Sequence, residues 1–145
     1  MQIEKVDQVS DEIYDAVRRL VPELGTHKPI PTREELIDLV KSEASTFWLA
    51  RDPDQLNLIV GMLTLTVYRV PTGIHSIVED VAVASNMRRR GVAKTLMETA
   101  IRSARGARAQ VLTLSSNPQR EAANKLYQSM GFERRETNAY IYRLG

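Results

Sequence analysis

The sequence has no cysteine. Disulfides, thiolate metal sites and any mechanism that carries an acyl group on a protein thiol are thereby excluded. Histidine is nearly absent as well: His27 and His75 stand alone, too few to expect a zinc or haem site, so no metal is expected. No apolar run comes near the roughly 20 residues of a membrane-spanning helix, and no membrane partner is expected. The first residues, Met1-Gln2-Ile3-Glu4-Lys5, include an acid and lack the apolar stretch of a signal peptide. They read as the start of a mature, cytoplasmic protein. Chemistry in such a chain falls to carboxylates, tyrosines, hydroxyls and backbone groups.

What is present has the composition of a folded domain. Of 145 residues, 43% are hydrophobic and 26% charged. That is enough for one domain, residues 1–145, that buries roughly 70% of its unfolded surface without a staple. The net charge of +2 does not mark a nucleic-acid binder. The cations are nonetheless clustered: Arg88, Arg89, Arg90 and Lys94, then Arg102, Arg105 and Arg108, with no aromatic residue between them. That pattern suits phosphates better than stacked bases, and nucleic acid is not an expected partner.

Helix and strand signals alternate along the whole chain. Ser10 caps a helix with Asp11 and Glu12 in its first turn and an apolar stripe of Ile13, Val17, Leu20 and Leu24 ahead of Gly25. After the break at Pro29-Ile30-Pro31, Thr32 and Glu35 form a capping box for a second helix with Leu36, Leu39 and Val40 on one face. Strands are predicted over 46–51, 57–68 and 74–84, joined by turns at Asp52-Pro53-Asp54 and Pro71-Thr72-Gly73. Helical spacing resumes at Val92 with Leu96, Met97, Ala100 and Ile101. A short strand over 111–114 follows. Asn117 then reads as the cap of a last helix, with Pro118 at its first position, an inner face of Ala122, Ala123, Leu126, Tyr127 and Met130, and a stop at Gly131. Two closing strands, 132–135 and 139–144, complete the order β-α-α-β-β-β-α-β-α-β-β. This is an α/β (α+β) pattern, a mixed sheet with helices on both faces.

The junction between the strand ending near Ala84 and the helix starting at Val92 carries the strongest chemical signal. A helix N-terminus presents free N–H groups and roughly half a positive charge. Gly91 lets an anion approach the backbone, small Ala93 keeps the next turn open, and Arg88, Arg89, Arg90 and Lys94 supply countercharge. It is a phosphate site in outline.

Arg88-Arg89-Arg90-Gly91-Val92-Ala93 resembles the pyrophosphate loop of the GNAT superfamily of acetyl-CoA-dependent N-acetyltransferases, Gln/Arg-x-x-Gly-x-Gly/Ala. Further along, residues 120–132, with Ala123-Asn124-Lys125-Leu126-Tyr127 and Gly131-Phe132, are similar to that family's Ala-Asn-x-Leu-Tyr-x-x-x-Gly-Phe stretch. Arg120 departs from the asparagine many members carry. The resemblance spans the element order of the chain and implies a mostly antiparallel sheet. It implies direct transfer of acetyl from acetyl-CoA, as co-substrate, to a primary amine of a small molecule or peptide through a tetrahedral intermediate. A homodimer is left open.

By the same resemblance, Arg88, Arg89, Arg90, Gly91, Val92, Ala93, Lys94 and Thr95 hold the pyrophosphate. The backbone of Val81, Ala82 and Val83 pairs with pantetheine and supplies the oxyanion donor, and Asn124 also contacts pantetheine. Tyr127 protonates the leaving thiolate. Lys125 is a candidate for the 3′-phosphate.

The attacking amine must lose a proton, and Glu79 and Asp80 lie on the strand leading to the oxyanion site. Neighbours on a strand face opposite ways, so only one faces the cleft unless a bulge intervenes, and Glu79, two residues from Val81, is the expected base. The string beginning Glu79-Asp80-Val81 is also similar to the glucosamine-6-phosphate acetyltransferase branch, which makes an amino sugar an alternative acceptor. The acceptor cleft is expected from residues 25–31, the hairpin 68–73 and the last strands with Tyr140 and Tyr142. Two readings of other classes compete: a non-catalytic acyl-CoA-binding module, and a phosphate-backbone binder using the basic block of residues 88–108.

Overall fold

The computed structural model describes residues 1–145, which form two compact units, Met1–Leu114 and Ser115–Gly145. The first holds a five-stranded sheet: β1 (Gln2–Lys5), β2 (Ser45–Asp52), β3 (Leu58–Val70), β4 (Gly73–Val83) and β5 (Val111–Thr113). The strands lie in sequence order, antiparallel from β1 to β4, and β5 joins β4 in parallel.

Helices cover both faces. On one, α1 (Asp11–Leu20) and α2 (Arg33–Lys41) set Ile13, Val17, Leu20 and Leu36 against Phe47, Leu49, Met62 and Ala82. On the other, α3 (Val92–Gly106) lies over Gly61, where an added side-chain carbon would come within 2.8 Å of Val92. The alternation of strand side chains is what divides the core this way, since Leu49 pairs with Met62 and Ala50 with Gly61.

The expected caps are in place. Ser10 accepts from the amide of Ile13 at 3.2 Å, and Thr32 with Glu35 closes both bonds of its capping box. Helix one stops earlier than its stripe suggests: after Leu20 the chain tightens into a 3-10 turn, Val21–Leu24, because Pro22 has no N–H to continue the α-helical ladder.

The second unit departs further from expectation. Its helix α4 spans Glu121–Ser129 and is preceded by Arg120, not capped by Asn117. Asn117 instead accepts from the amide of Gln119 at 2.9 Å, and its carbonyl accepts from the amide of Arg120 at 3.0 Å. A local turn therefore uses the groups a cap would need. Of the expected inner face only Tyr127 is buried, and Ala122 is exposed. The strands expected over 132–135 and 139–144 do not form. Glu133, Arg134, Arg135 and Glu136 leave the first of them without an apolar face, and Tyr140, Ile141, Tyr142 and Leu144 are all exposed. A lone two-stranded pair without a packed face is at best marginally stable.

Candidate active site

Three features of the first unit converge on the end of β4. The first is a β-bulge. Met62 pairs with Ala82 but Thr64 pairs with Glu79, so Leu63 faces two residues, Asp80 and Val81. Asp80 takes the extra position with φ of 53°, a left-handed conformation that non-glycine residues rarely adopt. The simple alternation that favoured Glu79 over Asp80 is broken at this point. Both carboxylates are exposed, and neither forms a salt bridge.

The second feature is an unpaired strand edge. β5 pairs with β4 only at His75, Ser76 and Ile77, held there by a 2.7 Å bond from the Ser76 hydroxyl to the Val111 carbonyl. Beyond Thr113 the ladder ends, while β4 continues to Val83. Ala82 and Val83 thus pair with Met62 and Gly61 of β3, Val81 lies at the bulge, and none of the three has a β5 partner.

The third is the start of α3. Gly91, at φ of 79°, precedes the helix with no side-chain cap, and Arg89 is also left-handed at 65°. The first intrahelical bond runs from the amide of Thr95 to the carbonyl of Gly91, leaving the amides of Val92, Ala93 and Lys94 without an intrahelical acceptor. An added carbon on Gly91 would meet nothing within 4 Å, so the space before these amides is open. Arg89, Arg90 and Lys94 are exposed around it, while Arg88 is turned to Glu23 at 3.3 Å. Val92 is buried and offers a ligand only its backbone. Ala93 is half-buried, and the Thr95 hydroxyl donates to the Gly91 carbonyl at 2.8 Å. Free amides, a helix dipole and uncapped cations suit a pyrophosphate in charge and in room.

Against the opposite face of the sheet lies a cavity of about 220 Å³ that includes Asp80 in its wall and not Glu79. Lys28, Pro29 and Pro31 of the expected cleft loop line it; residues 68–73 of the same unit do not. Sequence reasoning missed its floor of Phe47 and Met62. Those positions read as ordinary strand residues, and only the register of β2 on β3 places them together.

In the second unit, Tyr127 is buried with its ring edge-on to Phe132 at 6.0 Å. Burial pushes its phenol above the ordinary tyrosine range, partly countered by Arg120. The Asn124 amide donates to the Asn117 carbonyl at 3.0 Å, and Lys125 is exposed.

A model of the acetyltransferase (GNAT) family matches residues 10–132. The chain belongs to the GNAT acetyltransferase family. A search of curated proteins finds no match. Among solved structures, this GNAT chain is similar to the aminoglycoside acetyltransferase meta-AAC0020 from an uncultured soil metagenomic sample, crystallised with trehalose: 20% identity, TM-score 0.85, covering 99% of this chain and 96% of that one. It is similar also to AAC(6′)-Iy in complex with the bisubstrate analogue CoA-S-monomethyl-acetylneamine, at 18% identity and TM-score 0.77, covering 98% and 97%. A transcriptional regulator from Bacillus halodurans C-125 shares 18% identity and a TM-score of 0.79 over 98% and 100% of the two chains. At these identities the shared property is the fold. No helix of the GNAT chain is long and apolar enough to cross a membrane.

Proposed function

We propose that residues 1–145 serve as one acetyltransferase domain that transfers acetyl from acetyl-CoA directly to a primary amine. The observation that carries this reading is the free edge of β4 running toward the uncapped start of α3. Pantetheine amides suit the edge at Val81, Ala82 and Val83, and the pyrophosphate suits the amides of Val92, Ala93 and Lys94 beside Arg89 and Arg90. A preorganised backbone donor for the developing oxyanion contributes about 2.7 to 4 kcal/mol in comparable sites.

The amine arrives as an ammonium and must first give a proton to a carboxylate. Its share in the cavity wall supports Asp80 in this role, with Glu79 as the neighbouring candidate. The amine nitrogen then bonds to the thioester carbonyl carbon, the carbon–sulfur bond breaks, and sulfur takes a proton from the Tyr127 phenol; the second proton of the attacking nitrogen restores the phenol, and the carboxylate releases the first to solvent. The role of Tyr127 is supported by its position in the family sequence pattern. A phenol held above its ordinary range keeps that proton at neutral pH. No thioester-linked acyl-enzyme is involved, since there is no cysteine to carry one.

Thermal melting with and without acetyl-CoA tests the first half of this reading. A ligand at one hundred times its dissociation constant stabilises the native state by about 2.7 kcal/mol. Free CoA release across a panel of amines tests the second. A shift without turnover of any amine would favour a binding module, and a steep salt-dependent affinity for RNA with no CoA response would favour the phosphate-backbone reading.

A further inference from the structure

Building on the acetyltransferase reading, we infer that the acceptor is a small monoamine with an apolar body, not a polycationic amino sugar. The cavity beside the bulge carries the inference. Its volume of about 220 Å³ lies below the roughly 300 to 1,000 Å³ of pockets that take drug-sized ligands. It exceeds the roughly 150 Å³ that takes benzene in an engineered core. That leaves room for one ring or a short branched chain and its amine.

The wall chemistry narrows the class further. Val17, Leu36, Phe47 and Met62 are all at least nine-tenths buried and offer no polar atom to a sugar hydroxyl other than a weak thioether, and Thr64, the one uncharged polar side chain of the wall, is too little for the several hydroxyls of a sugar. Burying hydroxyls against such a surface without partners is costly, whereas a hydrocarbon gains by leaving water. Three charged groups line the space. Glu35, one oxygen of which accepts from the Thr32 amide at 2.9 Å, stays negatively charged and is offset in the wall by the positive charge of Lys28. Lys28 carries positive charge and disfavours further cations. Asp80, at the bulge and without an ion-pair partner, is left to receive a single ammonium. One unpaired carboxylate at the exposed edge of a mainly apolar cavity matches one amine on an apolar body.

The test is kcat/KM for acetylation along a series of linear primary monoamines from ethylamine upward, with phenethylamine and the aminoglycoside sisomicin as further arms. Each added methylene should raise kcat/KM about fourfold until the body outgrows the cavity, after which the value should fall. Phenethylamine should exceed sisomicin by at least about tenfold. Leu39→Glu, at a half-buried wall position, should flatten the series while the acetyl-CoA melting shift persists. A flat series in the wild type, or sisomicin preferred over phenethylamine, overturns the inference and leaves the acetyltransferase reading standing. An acetyl-CoA shift with sisomicin turned over but no apolar amine does the same, whereas a shift with no amine turned over at all overturns the transferase reading along with the inference. Loss of both the shift and all turnover overturns the reading itself.

Discussion

Gly61 of β3 and Val92 of α3 approach so closely that one methyl group on the glycine would stand 2.8 Å from Val92 Cγ1 and 3.1 Å from Leu96 Cδ1. The N-terminus of α3 is seated by this contact. A valine has little rotameric freedom with which to make way. Gly61→Val should therefore lower stability by about 1 to 3 kcal/mol, read by urea unfolding, and should weaken acetyl-CoA binding beyond what lost folding explains. Unchanged binding in the folded fraction would detach the phosphate loop from this packing.

A second node ties β1, α1 and β2. Arg51 pairs with Glu4 at 2.7 Å and grips both carboxylate oxygens of Glu12 at 2.8 and 2.9 Å. The pairing holds the Glu12 carboxyl below its ordinary range and raises the arginine. A carboxylate depressed in the folded state stabilises above its unfolded value of about 4.3, and that contribution is lost as pH falls through the folded value. Glu12 is more than half exposed, which keeps the effect modest. Arg51→Met should cost about 1 to 2 kcal/mol at neutral pH. It should also flatten the acid limb of stability below about pH 4, and an acid limb as steep as the wild type's would place the sensitivity in other carboxylates.

Tyr127→Phe keeps the ring against Phe132 and removes only the proton donor. Turnover should fall by a factor of about one hundred to ten thousand with acetyl-CoA affinity little changed, measured under conditions where chemistry limits the rate. Because burial raises the phenol, the wild type should show no alkaline loss from this group until above about pH 10. Equal turnover in the two proteins would leave Tyr127 with a packing role alone.

The base is decided by paired pH profiles. Asp80→Asn should depress turnover most at low pH, where the amine is protonated, with the deficit shrinking toward the amine's own pKa. Glu79→Gln, one residue outside the cavity wall, should show a smaller and flatter loss. If the pH-dependent deficit follows Glu79 instead, the choice made from strand spacing stands.

Much of this was legible in the sequence because the signals were local. Ser10, Thr32 and Glu35 declare their helices through bonds spanning three residues, and Arg88 to Ala93 carry both the glycine and the charge of an anion loop. The bulge was not legible: Asp80 gains its left-handed backbone from the register of the β3–β4 hairpin, opposite Leu63, and not from its own neighbours in the chain. The cavity floor was hidden for the same reason, since Phe47 and Met62 meet only through strand register. At the C-terminal end, alternation of Tyr140 and Tyr142 resembled a strand, but alternation supplies a strand only where a packed face receives it. Asn117 shows the converse, where its own backbone turn outcompeted a helix cap.

The central claim is that the start of α3 receives the pyrophosphate of acetyl-CoA, and calorimetric titration of acetyl-CoA into wild type and Gly91→Glu tests it most directly. Glutamate places a negative charge, on a left-handed backbone, before the open amides of Val92, Ala93 and Lys94. The account predicts saturable binding to the wild type and none detectable in the variant, with the variant's fold retained by circular dichroism. Wild-type affinity in a folded Gly91→Glu would contradict it.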